Sequence, residues 1–148
     1  MKFKFPLQKV LEHRKIQENL VQKVFQEAVM ALNDEMAKLN SLIQQKTLAH
    51  ESAGALVKQG GPQGPALTQV HEFLRGQEVL IEKQRLKVQE AEKLVEAKRE
   101  ILKQAAQEYK IIEKMRENQF EEYRQKRLKD DQKEMDEQSI LRFKAVKD

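Results

Sequence analysis

The chain has 148 residues, 39% of them hydrophobic and 35% charged, with 5% aromatic, no Trp and no Cys. That balance suits long helices rather than a broad globular core, and the lack of Cys excludes disulfides, thiolate nucleophiles and thiolate metal sites together. A net charge of +4 comes from 28 basic and 24 acidic residues interleaved along most of the sequence, so their fields cancel over distances beyond about 10 Å.

The first fifteen residues depart from this balance, with Lys2, Lys4, Lys9, Arg14 and Lys15 against Glu12 alone. Gln8, Lys9, Glu12 and His13 interrupt any apolar run after Met1, and no stretch has the length of a membrane span, which reads as a soluble cytoplasmic protein. Pro6 stands where a helix entry tolerates proline. From there apolar residues recur in steps of four and three: Leu7, Leu11, Val21, Phe25, Ala28, Leu32, Leu39, Leu42 and Ala49, with Arg14, Glu18, Glu35 and Lys46 as polar members of the stripe. The spacing predicts a first helix over about 7–51.

Residues 52–66 hold Gly54, Gly60, Gly61, Pro62, Gly64 and Pro65, and read as the loop in which the chain reverses. A second helix is predicted over about 67–146, because Leu67, Val70, Leu74, Ile81, Val88, Ala91, Val95, Leu102, Ala105, Tyr109 and Ile112 repeat the same steps, broken by Gln77, Gln84 and Lys98. Two such stripes joined by one turn are the seam of an antiparallel coiled coil. At about 1.5 Å per residue the helices are about 65 and 120 Å long, so the second outruns the first. Folding the seams together sets Glu35 near Gln84, Lys46 near Gln77 and Leu7 opposite about Met115. Beyond that point the stripe lands on Arg116, Gln119, Lys126, Asp130, Lys133 and Glu137, which predicts a solvated, almost wholly charged single helix.

The expected fold class is therefore all-α: a long two-helix antiparallel coiled-coil hairpin with an extended C-terminal helix, forming one elongated domain over 1–148. Phe73, Leu80, Leu94 and Ile101 each precede a seam residue and are expected to widen the core. Seam periodicity fits both a monomeric hairpin and two chains paired through exposed stripes, and sedimentation is expected to give a concentration-independent monomer mass. Val79 and Leu86, seven residues apart on the outer face, are a candidate docking patch.

A narrow seam offers no pocket for chemistry, and exposed carboxylates lack the burial that tunes an acid or base, so an enzyme is not expected. His50 and His71, near Glu51 and Glu72, read as exposed residues beside a turn, not a metal site. Residues 60–64 lack the Lys and hydroxyl of a phosphate cradle. Nucleic acid is not expected either, since Arg124, Lys126, Arg127 and Lys129 are followed at once by Asp130, Asp131, Glu134, Asp136 and Glu137. No cofactor and no small-molecule substrate are implied.

The basic N-terminus with Phe3, Phe5, Leu7, Val10, Leu11 and Arg14, the long hairpin, and Asp136-Glu137 followed by Arg142 together resemble the FliJ family of bacterial flagellar export proteins. The resemblance covers the full length and departs from the family in the Gly/Pro loop. It implies a non-enzymatic stalk of the type III export apparatus, cytoplasmic and peripherally associated with the inner membrane at the flagellar base. The implied partners are the pore of the hexameric export ATPase, the membrane export gate and export chaperones. On this reading Phe3, Phe5, Leu7, Arg14, Asp136, Glu137 and Arg142 lie at the ATPase end, while Val79 and Leu86 face the gate. The competing reading is a generic coiled-coil scaffold, or a chaperone that binds clients without an ATPase and exposes apolar residues along its tail.

Overall fold

The computed structural model describes residues 2–60 and 64–147, and contains two helices, α1 (Gln8–Gln59) and α2 (Gly64–Lys147). Pro6 and Leu7 form the turn that starts α1, with the Gln8 amide donating to the Phe5 carbonyl at 3.1 Å and the Leu11 amide to the Leu7 carbonyl at 2.9 Å. Gly60 ends α1 at a φ of 69°, a left-handed conformation that glycine adopts without a Cβ clash. Lys58 lies in the last turn, where its charge complements the helix dipole. Pro65 sits in the first turn of α2, where its missing N–H costs nothing.

Both helices extend further into the Gly/Pro stretch than residues 51 and 67. Gly54 alone does not stop α1, because Ala53 and Leu56 continue the half-buried stripe beyond Ala49 and the good helix formers Ala55 and Lys58 surround them. α1 continues to Gln59 and α2 begins at Gly64, and the Gly61, Pro62 and Gln63 core of the expected loop lies outside the described residues.

The helices pack against each other antiparallel, in two compact units: Leu20–Leu102, and Met1–Asn19 with Lys103–Asp148. In the first of these, Ala28, Leu74, Ile81, Val88 and Val95 are buried, all of them on the three-four stripe. Gln77 and Gln84 share that stripe and are buried at least as deeply, at 3% and 6% exposure. Each is satisfied by α1. The Gln77 Nε2 donates to the Leu42 carbonyl at 3.0 Å and to the Gln45 Oε1 at 2.9 Å, and the Gln84 Nε2 donates to the Glu35 carbonyl at 2.8 Å and the Glu35 Oε2 at 2.5 Å.

A buried amide that loses its partner leaves an unsatisfied group costing about 1–3 kcal/mol, so these two layers penalise a slip of one helix along the other. The expected Glu35–Gln84 pairing is present. Lys46, next to Gln45, pairs at 3.7 Å with Glu78, the neighbour of Gln77.

Phe73, Leu80, Leu94 and Ile101 do not widen the core. They are 47%, 49%, 49% and 44% exposed, since two helices in contact along one stripe cover only the residues on it.

The Gln84 hydrogen bond, aided by the Lys38 and Lys87 charges, holds the Glu35 carboxyl below the usual carboxylate range. A group whose pKa is depressed on folding adds stability above its unfolded pKa and loses it as pH falls through the folded one. Wild-type melting temperature therefore falls on acidification through that range, and replacing Gln84 with Leu shrinks the part of the fall that Glu35 causes, as a pH series of thermal melts on both proteins checks. Gly76 lies inside α2 with nothing within 4 Å of where a Cβ would sit. Gly76→Ala is expected to stabilise the chain by about 1 kcal/mol in urea unfolding.

Candidate functional site

The unit built from Met1–Asn19 and Lys103–Asp148 brings together most of the residues that the sequence singles out. Residues 2–5 precede the first turn without regular structure and lie along α2 as a strap. The Phe3 ring meets Phe120 edge-on at 5.4 Å between centroids and lies tilted against Tyr123 at 5.5 Å. Such aromatic pairs add about 0.5–1.5 kcal/mol beyond burial. Phe5 is buried at 7% exposure and Leu7 is half-buried. Phe5 therefore fixes the strap to the helices and presents little surface to a partner.

Further along, the Arg14 guanidinium pairs with the Glu108 carboxylate, and the Lys15 ammonium sits 4.9 Å from the centroid of the Tyr109 ring. Burial and the negative Glu113 beside it raise the Tyr109 hydroxyl above its ordinary pKa. Glu18, half-buried, keeps one carboxylate oxygen 3.8 Å from Lys15. Arg14 and Glu108 are both substantially exposed, so their pair adds at most about 1 kcal/mol and mainly sets alignment.

Past Tyr123 the coverage of α2 ends, and residues 124–146 are exposed throughout. Asp136, Glu137 and Arg142 stand here, with Asp136 accepting a hydrogen bond from the Gln132 Nε2 at 3.1 Å. These three are accessible but lie well along α2 from the strap. The stretch is not almost wholly charged in what it exposes: Leu128, Met135, Ile140, Leu141 and Val146 are all more than half exposed. Stepping the seam forward misses Leu128, Met135 and Val146, which lie on a separate three-four stripe two positions away, with Gln125, Gln132, Ser139 and Arg142 between them.

Lys2 and Lys4 flank Phe3 and share a shallow groove with Lys126, giving the strap a basic rim. Val79 and Leu86 belong to the other unit, on α2, each more than half exposed. Sequence reasoning did not identify Phe120, Glu108 and Tyr109 as the counterparts of the N-terminal residues. The only signal was their position opposite 3–15 in the hairpin. Among the described residues no group of three His, Cys, Asp or Glu is placed to hold a metal ion, His50 and His71 are exposed, and no helix is long and apolar enough to cross a membrane.

The family model described as flagellar FliJ protein matches residues 3–147. Among solved structures, a putative YscO homolog from Chlamydia trachomatis is similar, with 21% sequence identity over 99% of this chain and 98% of that one and a TM-score of 0.43, a loose superposition. No curated protein matches the chain in sequence.

The strap's anchoring has a measurable consequence. Phe5→Ala is expected to cost about 3 kcal/mol and Phe3→Ala about 1 kcal/mol. Hydrogen exchange is the check, with faster exchange expected at the first turns of α1 and near Phe120 and Tyr123, and little change in Leu20–Leu102.

Proposed function

Because the chain belongs to the FliJ family of flagellar proteins, we propose that it is a non-enzymatic stalk and adaptor of the flagellar export apparatus, inserting into the pore of the hexameric export ATPase. Membership makes it a flagellar type III export protein; the pore insertion is the further step. The observation that carries it is the uncovered stretch of α2 after Tyr123, a single helix with Asp136, Glu137 and Arg142 exposed, which begins where the strap carrying Lys2 and Lys4 ends its contact with α2.

A single helix is narrow enough to enter a ring. Contacts made by exposed charges are individually worth at most about 1 kcal/mol, which suits an element that a cycling ring must grip and release. In this reading Phe3, Phe5 and Leu7 stiffen the base of that end by packing on α2, Arg14 aligns it through Glu108, and Asp136, Glu137 and Arg142 meet the ATPase. Val79 and Leu86 meet the membrane export gate, and export chaperones share the exposed α2 surface. The protein then works in the cytoplasm, held peripherally at the inner membrane by its partners.

A second reading has one observation in its favour. The exposed Leu128, Met135, Ile140, Leu141 and Val146 are what a chaperone that grasps apolar segments of clients without an ATPase would offer.

ATPase stimulation by the purified chain separates the two. The wild type is expected to raise hydrolysis by the export ATPase severalfold. The exposed triple variant Asp136→Ala, Glu137→Ala, Arg142→Ala is expected to lose most of that effect with unchanged helix content, whereas absent stimulation with retained client binding would favour the chaperone.

A further inference from the structure

The exposure of Phe73, Leu80, Leu94 and Ile101 uncovers a second periodic stripe on α2, separate from the seam. Phe73, Gly76, Leu80, Lys83, Lys87, Glu90, Leu94, Ala97 and Ile101 follow one another in steps of three and four, and all nine are exposed. The whole stripe belongs to the Leu20–Leu102 unit and runs for about 42 Å along the helix. Such spacing is what helix pairing requires, and α1 occupies a different face.

Two features of the stripe point to what covers it. Its composition is close to palindromic, with apolar and small residues at both ends and the charges Lys83, Lys87 and Glu90 in the middle. An antiparallel copy centred on Lys87 would set that lysine against itself. With the two-fold axis between Lys87 and Glu90 instead, Gly76 lies against Ile101 of the second copy, Leu80 against Ala97, Lys83 against Leu94, Lys87 against Glu90, and Phe73 against Gln104, one step beyond the stripe. A two-fold axis repeats each of these contacts. Small residues meet large ones, and the two central layers become Lys–Glu pairs. Parallel pairing would stack Lys83 on Lys83 and Lys87 on Lys87, so the charges select the antiparallel arrangement.

Among the described residues, Lys83, Lys87 and Glu90 make no contact ion pair, although the Lys87 charge reaches Glu35. The second feature is Gly76. Glycine weakens a helix interior, and this one has open space around the position of a Cβ, so nothing inside the chain requires it to be small. A helix packed closely against this face would use the room that the missing side chain leaves.

We propose that this face of α2 is a self-association surface, on which two copies of the chain pair antiparallel through the stripe from Phe73 to Ile101. The paired state covers Phe73 and Leu80, neighbours of Val79, and so competes with other use of that side of the helix. It is independent of the ATPase reading, because it uses neither the strap nor residues 124–146.

Sedimentation equilibrium over a concentration series tests it. The wild type is expected to rise from 17.4 kDa toward twice that mass as concentration increases. Lys87→Glu and Glu90→Lys, each of which turns the central pairs into like charges, are each expected to stay at the monomer mass. An equimolar mixture of those two variants is expected to regain the doubled mass, because each then supplies the charge the other lacks. Gly76→Met is expected to melt higher than wild type and yet remain monomeric, which separates association from folding. A wild-type mass of 17.4 kDa at every concentration overturns the proposal and leaves the stripe to a different protein. A dimer that neither charge variant disrupts, or a mixture that stays monomeric, overturns it as well.

Discussion

The structure depends on a single constraint: two long helices touch along one stripe about two residues wide, and everything off that stripe faces water. Burial is correspondingly thin. Only seven hydrophobic residues among those described are buried, and each keeps some contact with water, so the helices gain little from area alone. In a seam this narrow, apolar layers resemble one another and a slip by a heptad costs little packing. The Gln77 and Gln84 layers break that degeneracy, because their amide donors must find Leu42, Gln45 and Glu35 or go unsatisfied. Specificity of alignment thus rests on two polar residues placed where the apolar pattern is interrupted.

The same constraint organises the functional surfaces. Because α2 outlasts its partner, the place where coverage stops is well defined, at the Phe3 contact with Phe120 and Tyr123. The strap acts as an end-stop: Phe5 is buried behind it, Arg14 and Lys15 align the next turns against Glu108 and Tyr109, and the helix beyond carries its charges into water.

Much of this was readable from periodicity. Every member of the stripe from Leu67 to Ile112 is buried or half-buried, its polar interruptions included, because three-four spacing follows directly from helix geometry. Three features were harder to read. The extent of the turn was overestimated because glycine at Gly54 signals a break that Ala53 and Leu56 override by packing. Phe73, Leu80, Leu94 and Ile101 look like core by hydrophobicity, and only the two-helix geometry shows that nothing is left to cover them. Leu128, Met135 and Val146, in the last stretch of α2, lie on a stripe offset from the seam, so following the seam does not reach them. At the candidate site, the N-terminal residues were visible as a motif, while their counterparts on α2 needed the three-dimensional register.

The central claim is that the end of the molecule where α2 runs uncovered is the end that engages the export ATPase. Site-specific photocrosslinking in the assembled apparatus addresses it most directly, with a photoreactive residue placed in turn at Asp136, Arg142, Val79 and Leu86. The account predicts crosslinks to the ATPase from Asp136 and Arg142 and none from Val79 or Leu86. ATPase adducts that form from Val79 and Leu86 alone would contradict it.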